Sequence, residues 1–131
     1  MRALVQGRRV AIVGRAGSLH GSGNGEAIDR AAVVIRINWV LPLLEHEAED
    51  VGTRTDLVYH CKRARTARRT ARALGVPSKR VSGKYRTRTA RRLFRRFKAF
   101  RPTTGFMACV EALESGAARI ELFGFDFFTS G

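Results

Sequence analysis

Apolar residues fall in short runs separated by polar and glycine-rich stretches, and the spacing of those runs sets the expected elements. "RVAIV", residues 9–13, is an apolar run closed by Gly14, the pattern of a strand covered on both faces in a parallel sheet. The loop "GRAGSLHGSGNG" follows, residues 26–29 suit a short helix, and "AAVVIRINWV" from Ala31 reads as a second strand rich in β-branched side chains. "LPLLEHEAEDVGTRT", with one proline and one glycine, is expected to be loop, leading to a third strand at Asp56–His60.

Helical spacing takes over from there. Ala64, Ala67, Ala71 and Leu74 recur at intervals near 3.6 within residues 62–74, a thin apolar stripe on a basic helix that Gly75 and Pro77 stop. "PSKRVSGKY" reads as a turn, and residues 87–100 form another such helix with Ala90, Leu93, Phe94 and Phe97 on one face. "TTGFMACVEALESG" predicts a helix capped by the hydroxyl of Thr103 or Thr104, with glycine at its far end. "ARIELFGFDFF" supplies a last strand carrying Ile120, Leu122 and Phe123 before Gly124. Strands separated by helical segments predict an α/β layered fold with no internal repeat. The 131 residues and 44% hydrophobic content suit one folding unit with a modest core.

Charge changes this picture. The chain carries 25 Lys and Arg against 11 Asp and Glu, and residues 62–101 hold 17 of the basic residues with no acidic one. Such a block draws phosphates, nucleic acid, anionic lipid or acidic glycans without choosing among them, or is a solvated surface. Cysteine adds little: Cys61 and Cys109 stand in no metal-ligand or disulfide spacing and are expected to be small buried side chains. No run approaches the ~20 apolar residues of a spanning helix and the N-terminus lacks a cleavable leader pattern, so a cytoplasmic protein is expected, at most peripheral to the inner membrane.

Two stretches carry candidate binding chemistry. Glycines after the first strand either let backbone N–H groups approach a phosphate or ribose, or simply keep a connector flexible. Neither G-x-G-x-x-G directly after the strand nor G-x-x-x-x-G-K-[ST] is present, so a usual dinucleotide or ATP site is not expected. "RPTTG" sets two hydroxyls and a glycine at a helix start, where either ordinary capping or phosphate binding is served.

"VAIVGRAGSLHGSGNGEAIDRAAVVIRINWV" followed by "DVGTRTD" resembles the large sialylmotif of the family 29 sialyltransferases, with V-x-R-x-N and D-V-G-x-x-T in place. "RPTTGFMACVEALESGAARIELFGFDFF" is similar to the small sialylmotif. The resemblance divides a single nucleotide-binding domain, residues 1–131, into a large motif at 9–60, a basic helical insert at 62–101 and a small motif at 101–128. It implies a glycosyltransferase A-like, Rossmann-type three-layer sandwich with a mostly parallel sheet, truncated at its C-terminus. It further implies metal-independent, inverting transfer from CMP-sialic acid or another CMP-sugar to a glycan acceptor, anionic in one reading, with no further cofactor.

Carried over by position, the resemblance assigns donor contacts to Gly14, Arg15, Ala16, Gly17, Asn38, Thr103, Thr104, Gly105 and Gly124. Arg15 and Ala16 replace the family's asparagine and serine, which puts a fixed cation where an amide that both donates and accepts would stand. The paired cysteines of animal members have no match, Val10 holding the large-motif position and Cys109 falling too early, as suits a reducing compartment. The family's two later motifs, which bring a general-base histidine, have no counterpart before Gly131, and His20, His46 and His60 do not replace it, so the catalytic residues stay unassigned. Phe125, Phe127 and Phe128 are then expected to lack cover. A basic nucleic-acid-binding module built on residues 62–101 is the alternative reading.

Overall fold

The computed structural model describes residues 1–39, 47–81, 88–96 and 102–126. Five strands form one parallel sheet in the order β4-β3-β2-β1-β5: β1 Arg9–Val13, β2 Val33–Ile37, β3 Leu57–His60, β4 Ser78–Arg80 and β5 Arg119–Phe123. The apolar run that predicted β1 is buried from Val10 to Val13, and β2 is buried throughout. A strand in the interior of a parallel sheet shows neither face to water, so its sequence reads as continuous rather than alternating.

Helices cover both faces, giving three layers. On one face Val10, Ile12, Val33, Ile35, Leu57 and Tyr59 pack against α6, Thr104–Glu114, through Met107, Ala108 and Ala112. Val5 of the short α1, Arg2–Val5, and Ala90 of α5, Arg88–Arg96, join that core. On the other face Ala11, Val13 and Val34 meet Ile28 of α2, Gly25–Asp29, and Val51 of α3, Ala48–Val51. Farther along, Ala67 and Ala71 of α4, Arg65–Ala73, pack on Val58.

Several expectations are corrected. Residues 78–80, expected as turn, form β4: Val58 donates its N–H to the Pro77 carbonyl and Val81 to the His60 carbonyl, so an edge of β3 recruits a strand with no apolar residue. The expected loop before β3 contains α3, and α1 was not foreseen. Leu74 is not part of the buried stripe; it is 53% exposed, and α4 docks on two alanines alone. Helices α4 and α5 also share the octet R-T-A-R-R-x-x-R, at residues 65–72 and 88–95, a short repeat where none was expected. Both cysteines are half-buried rather than buried. His46, Phe97, Phe127, Phe128 and the side chain of Phe94 lie outside the described residues.

Candidate functional site

The chain leaves β1 toward β2 on one side and returns as β5 on the other, so the sheet order switches between β1 and β5. Beyond the C-terminal ends of strands at such a point the diverging connections leave a crevice. Here they border a cavity of about 920 Å³.

Glycine makes the crevice possible. A β-carbon on Gly14 would lie 2.5 Å from the Gly124 carbonyl oxygen, and one on Gly124, whose φ is 72°, would lie 2.8 Å from that of Gly14. The two strand ends therefore close on each other only without side chains. Hydrogen bonds tie the approach, Gly14 N–H to Phe123 O at 2.8 Å and Ala16 N–H to Gly124 O at 2.9 Å. The Phe125 ring then packs against Gly14 and Gly105, where a β-carbon would fall 2.5 Å from its edge. Phe125, expected to be uncovered, is half-buried against the core.

The polar rim comes from three elements. Arg15 follows β1 and is exposed at the cavity. Thr103 caps α6, its Oγ1 accepting the Phe106 N–H at 3.1 Å, while the helix start leaves the Thr104 and Gly105 N–H groups without intrahelical acceptors. With the positive end of the helix dipole they make that wall favourable to an anion. Asn38 ends β2 at φ 62°, a conformation asparagine tolerates. Its Oδ1 accepts the Cys61 N–H at 2.8 Å, so only its amide nitrogen is left to donate toward a ligand. Phe106, Cys109 and Leu122, which sequence reasoning did not assign to the site, supply apolar wall. Burial pushes the Cys109 thiol up to about 11, against a smaller opposing pull from a backbone hydrogen bond, so it is no thiolate at neutral pH.

Of the expected donor contacts, Gly14, Arg15, Ala16, Asn38, Thr103, Thr104, Gly105 and Gly124 border this one cavity; Gly17 does not, and instead opens a single 3-10 turn, Gly17–Leu19. The later glycines have another task. Asp50 accepts the Gly21 N–H at 2.6 Å and the Gly23 N–H at 2.8 Å, so a carboxylate of the protein itself fills the place an external anion could take. His20 is exposed and absent from the cavity wall; His60 is 4% exposed, its Nδ1 lying 3.0 Å from the Cys61 carbonyl. Among the described residues no cluster of His, Cys, Asp or Glu could hold a metal ion.

Polar contacts that the sequence did not announce hold this arrangement. Asp29 accepts N–H groups of Thr53 and Arg54 and the Thr53 hydroxyl, all at 2.9 to 3.0 Å. Burial pushes its carboxyl up, but these bonds and the Arg36 charge outweigh it and leave it below the usual range. Thus "EAID" and "DVGTRTD" are two halves of one contact, and their acidic and hydroxyl residues were its only sequence signal. Arg36 is fully buried, bonds Arg54 O and Thr55 Oγ1, and stacks on Trp39 with its guanidinium carbon 4.9 Å from the ring centre. Burial lowers its pKa to about 10, the Asp29 charge partly opposing. On the other face the Tyr59 hydroxyl donates to Glu111 Oε2 at 2.6 Å, and Lys79 pairs with the other oxygen. Burial pushes Tyr59 up to about 12.

A model of glycosyltransferase family 29 (sialyltransferase) matches residues 5–84. Two crystal structures of a mammalian sialyltransferase share the fold: one, in complex with Gal-beta-1-3GalNAc-ortho-nitrophenol, superposes with a TM-score of 0.62 at 23% identity over 95% of this chain. The other gives 0.61 at 23% identity over 94%. The chain spans 57% and 56% of those proteins. No curated protein matches it.

Proposed function

The chain belongs to glycosyltransferase family 29, and from that premise we propose that its cavity binds the nucleotide end of a CMP-sialic acid or related CMP-sugar donor. The observation that carries the reading is convergence: segments some 90 residues apart, Gly14–Ala16 and Thr103–Gly105, meet with Asn38 and Gly124 around one cavity. The phosphate sits between the Arg15 guanidinium and the free N–H groups of Thr104 and Gly105. The Asn38 amide nitrogen donates to the base or ribose, its oxygen being taken by Cys61. Phe106, Leu122 and Phe125 exclude water beside them.

In the reaction so read, an acceptor hydroxyl of a glycan forms a bond to the anomeric carbon, the bond to the phosphate oxygen breaks, and CMP departs with inversion. Arg15 and the helix end meet the charge that grows on the leaving phosphate, so the step requires no metal or further cofactor. The proton of the attacking hydroxyl goes to a base. Arg15, Asn38, Thr104 and Gly105 are assigned donor binding and leaving-group stabilisation. A nucleic-acid role is not favoured by the family membership.

Calorimetric titration with CMP, UMP and AMP at ~0.15 M salt tests the reading. CMP is expected to bind most tightly, and Arg15→Ala to weaken it about tenfold through one lost charge-assisted bond. Equal binding of AMP, or an unchanged CMP affinity in that variant, overturns the assignment.

A further inference from the structure

The two edges of the sheet, β4 and β5, differ in kind. Ser78–Arg80 is short, follows Pro77 and carries two cations, devices that blunt an edge against further pairing. Arg119–Phe123 is longer, has neither proline nor lysine, and bears charges of both signs with Leu122 45% exposed.

Hydrogen bonds to β1 fix which backbone groups of β5 are already used. Gly14 donates its N–H to Phe123 O and Arg119 donates to Arg8 O, so the peptide groups of Arg119, Glu121 and Phe123 turn toward β1. Those of Ile120 and Leu122 turn the other way, where no strand lies among the described residues. Side chains alternate as well: Arg119 and Glu121 share the side of Ala11, whereas Ile120 and Leu122 share that of Val10 and Ile12. The outer edge thus offers free donors and acceptors, an apolar row on one face and an Arg-Glu row on the other.

We propose that this edge pairs with a second copy of the chain, β5 against β5, antiparallel about a two-fold axis at Ile120. The segment is complementary to itself in that register. The two Ile120 residues exchange N–H···O=C bonds, and Arg119 of each copy faces Glu121 of the other, an arrangement of opposite charges that supports cross-strand pairing. Leu122 lies over Ala118 of the second copy. Moving the axis to Glu121 would set two carboxylates face to face, and parallel in-register pairing would oppose Arg119 to Arg119, so charge selects the register. A two-fold contact of this kind closes on itself, and stops at two copies. The net charge of +14 opposes self-association, but ~0.15 M salt confines its reach to about 8 Å. Leu122 also borders the cavity, so the second copy covers one flank of it.

Sedimentation equilibrium of the full 131-residue chain across the micromolar range, at ~0.15 M salt, tests the proposal. The mean mass is expected to climb with concentration from 14.6 kDa toward twice that value and no further. Arg119→Glu alone and Glu121→Arg alone each bring like charges face to face, and each is expected to weaken association about tenfold. Mixed in equal amounts, the two variants regain both opposed pairs and are expected to associate as the parent does. Leu122→Lys is expected to abolish association with the melting temperature kept. Arg119→Glu and Leu122→Lys leave the Arg9–Glu121 ion pair in place, so they carry the test if Glu121→Arg does not fold. A parent that stays at the mass of one chain would leave the edge to some other strand and overturn the proposal. Masses beyond two chains, single variants that associate as the parent does, or a mixture no better than its parts would overturn it as well. Because no nucleotide enters the measurement, its outcome is independent of the donor-site assignment.

Discussion

The two ends of the sheet solve opposite problems with different residues. At the β1–β5 end, glycine and phenylalanine bring three chain segments into contact: Gly14, Gly105 and Gly124 all lack the β-carbon that would collide, and Phe125 fills the space they leave. At the β4 end a three-residue strand and α4, docked on two alanines, bury little, and α4 and α5 both present arginine outward. Close packing makes the first end intolerant of any added atom, whereas the second depends on a few polar contacts and on β3 as a template. The first end is shaped by sterics; at the second, charge without shape offers attraction alone.

That contrast predicts a gradient of mutational cost. Gly124→Val is expected to do most harm, about 3 kcal/mol, because it adds both a positive-φ penalty and a clash with the Gly14 carbonyl. A urea midpoint near the parent's would show that the two strand ends can part cheaply, and the contrast would fail. Asp29→Asn comes next, at about 1–2 kcal/mol at neutral pH, since three donors lose a charged acceptor. The folded-state pKa of Asp29 is depressed, so its stabilisation is present above the ordinary aspartate value near pH 3.8 and is lost as pH falls through the folded value. Parent and variant should therefore converge in acid, which a pH series of melting temperatures reads directly.

Tyr59→Phe, toward the β4 end, is expected to cost only about 1 kcal/mol, because Glu111 keeps Lys79 as a partner. Its signature is alkaline. Tyr59 has a raised folded-state pKa, so its contribution is intact below pH 10 and fades as pH rises toward about 12. A variant that loses as much stability at pH 11 as at pH 7 would place the importance of this residue in packing rather than in its hydroxyl.

Much of this was legible in the chain itself. A continuous apolar run has few outcomes other than an interior parallel strand, so β1, β2 and β3 were readable within three residues. The α6 cap was readable too, because Thr103 meets a need, the orphan N–H groups of a helix start, that every helix has. Eight of the nine residues picked out by the family motifs border one cavity, Gly17 excepted. Local pattern failed where an element exists only because of a neighbour: Ser78–Arg80 has no strand character of its own, and α3 is too short to show a period.

The tasks of the glycines mark the same boundary. By itself the sequence determined that the chain turns tightly after β1 and that its middle third is a positive surface, since glycine content and net charge are properties of residues alone. Only the tertiary structure decided that Gly14 makes room for Gly124, while Gly21 and Gly23 give their N–H groups to Asp50. Such pairings join residues about 30 to 110 positions apart, and a steric clash or a hydrogen bond acts over a few ångströms of space rather than along the chain.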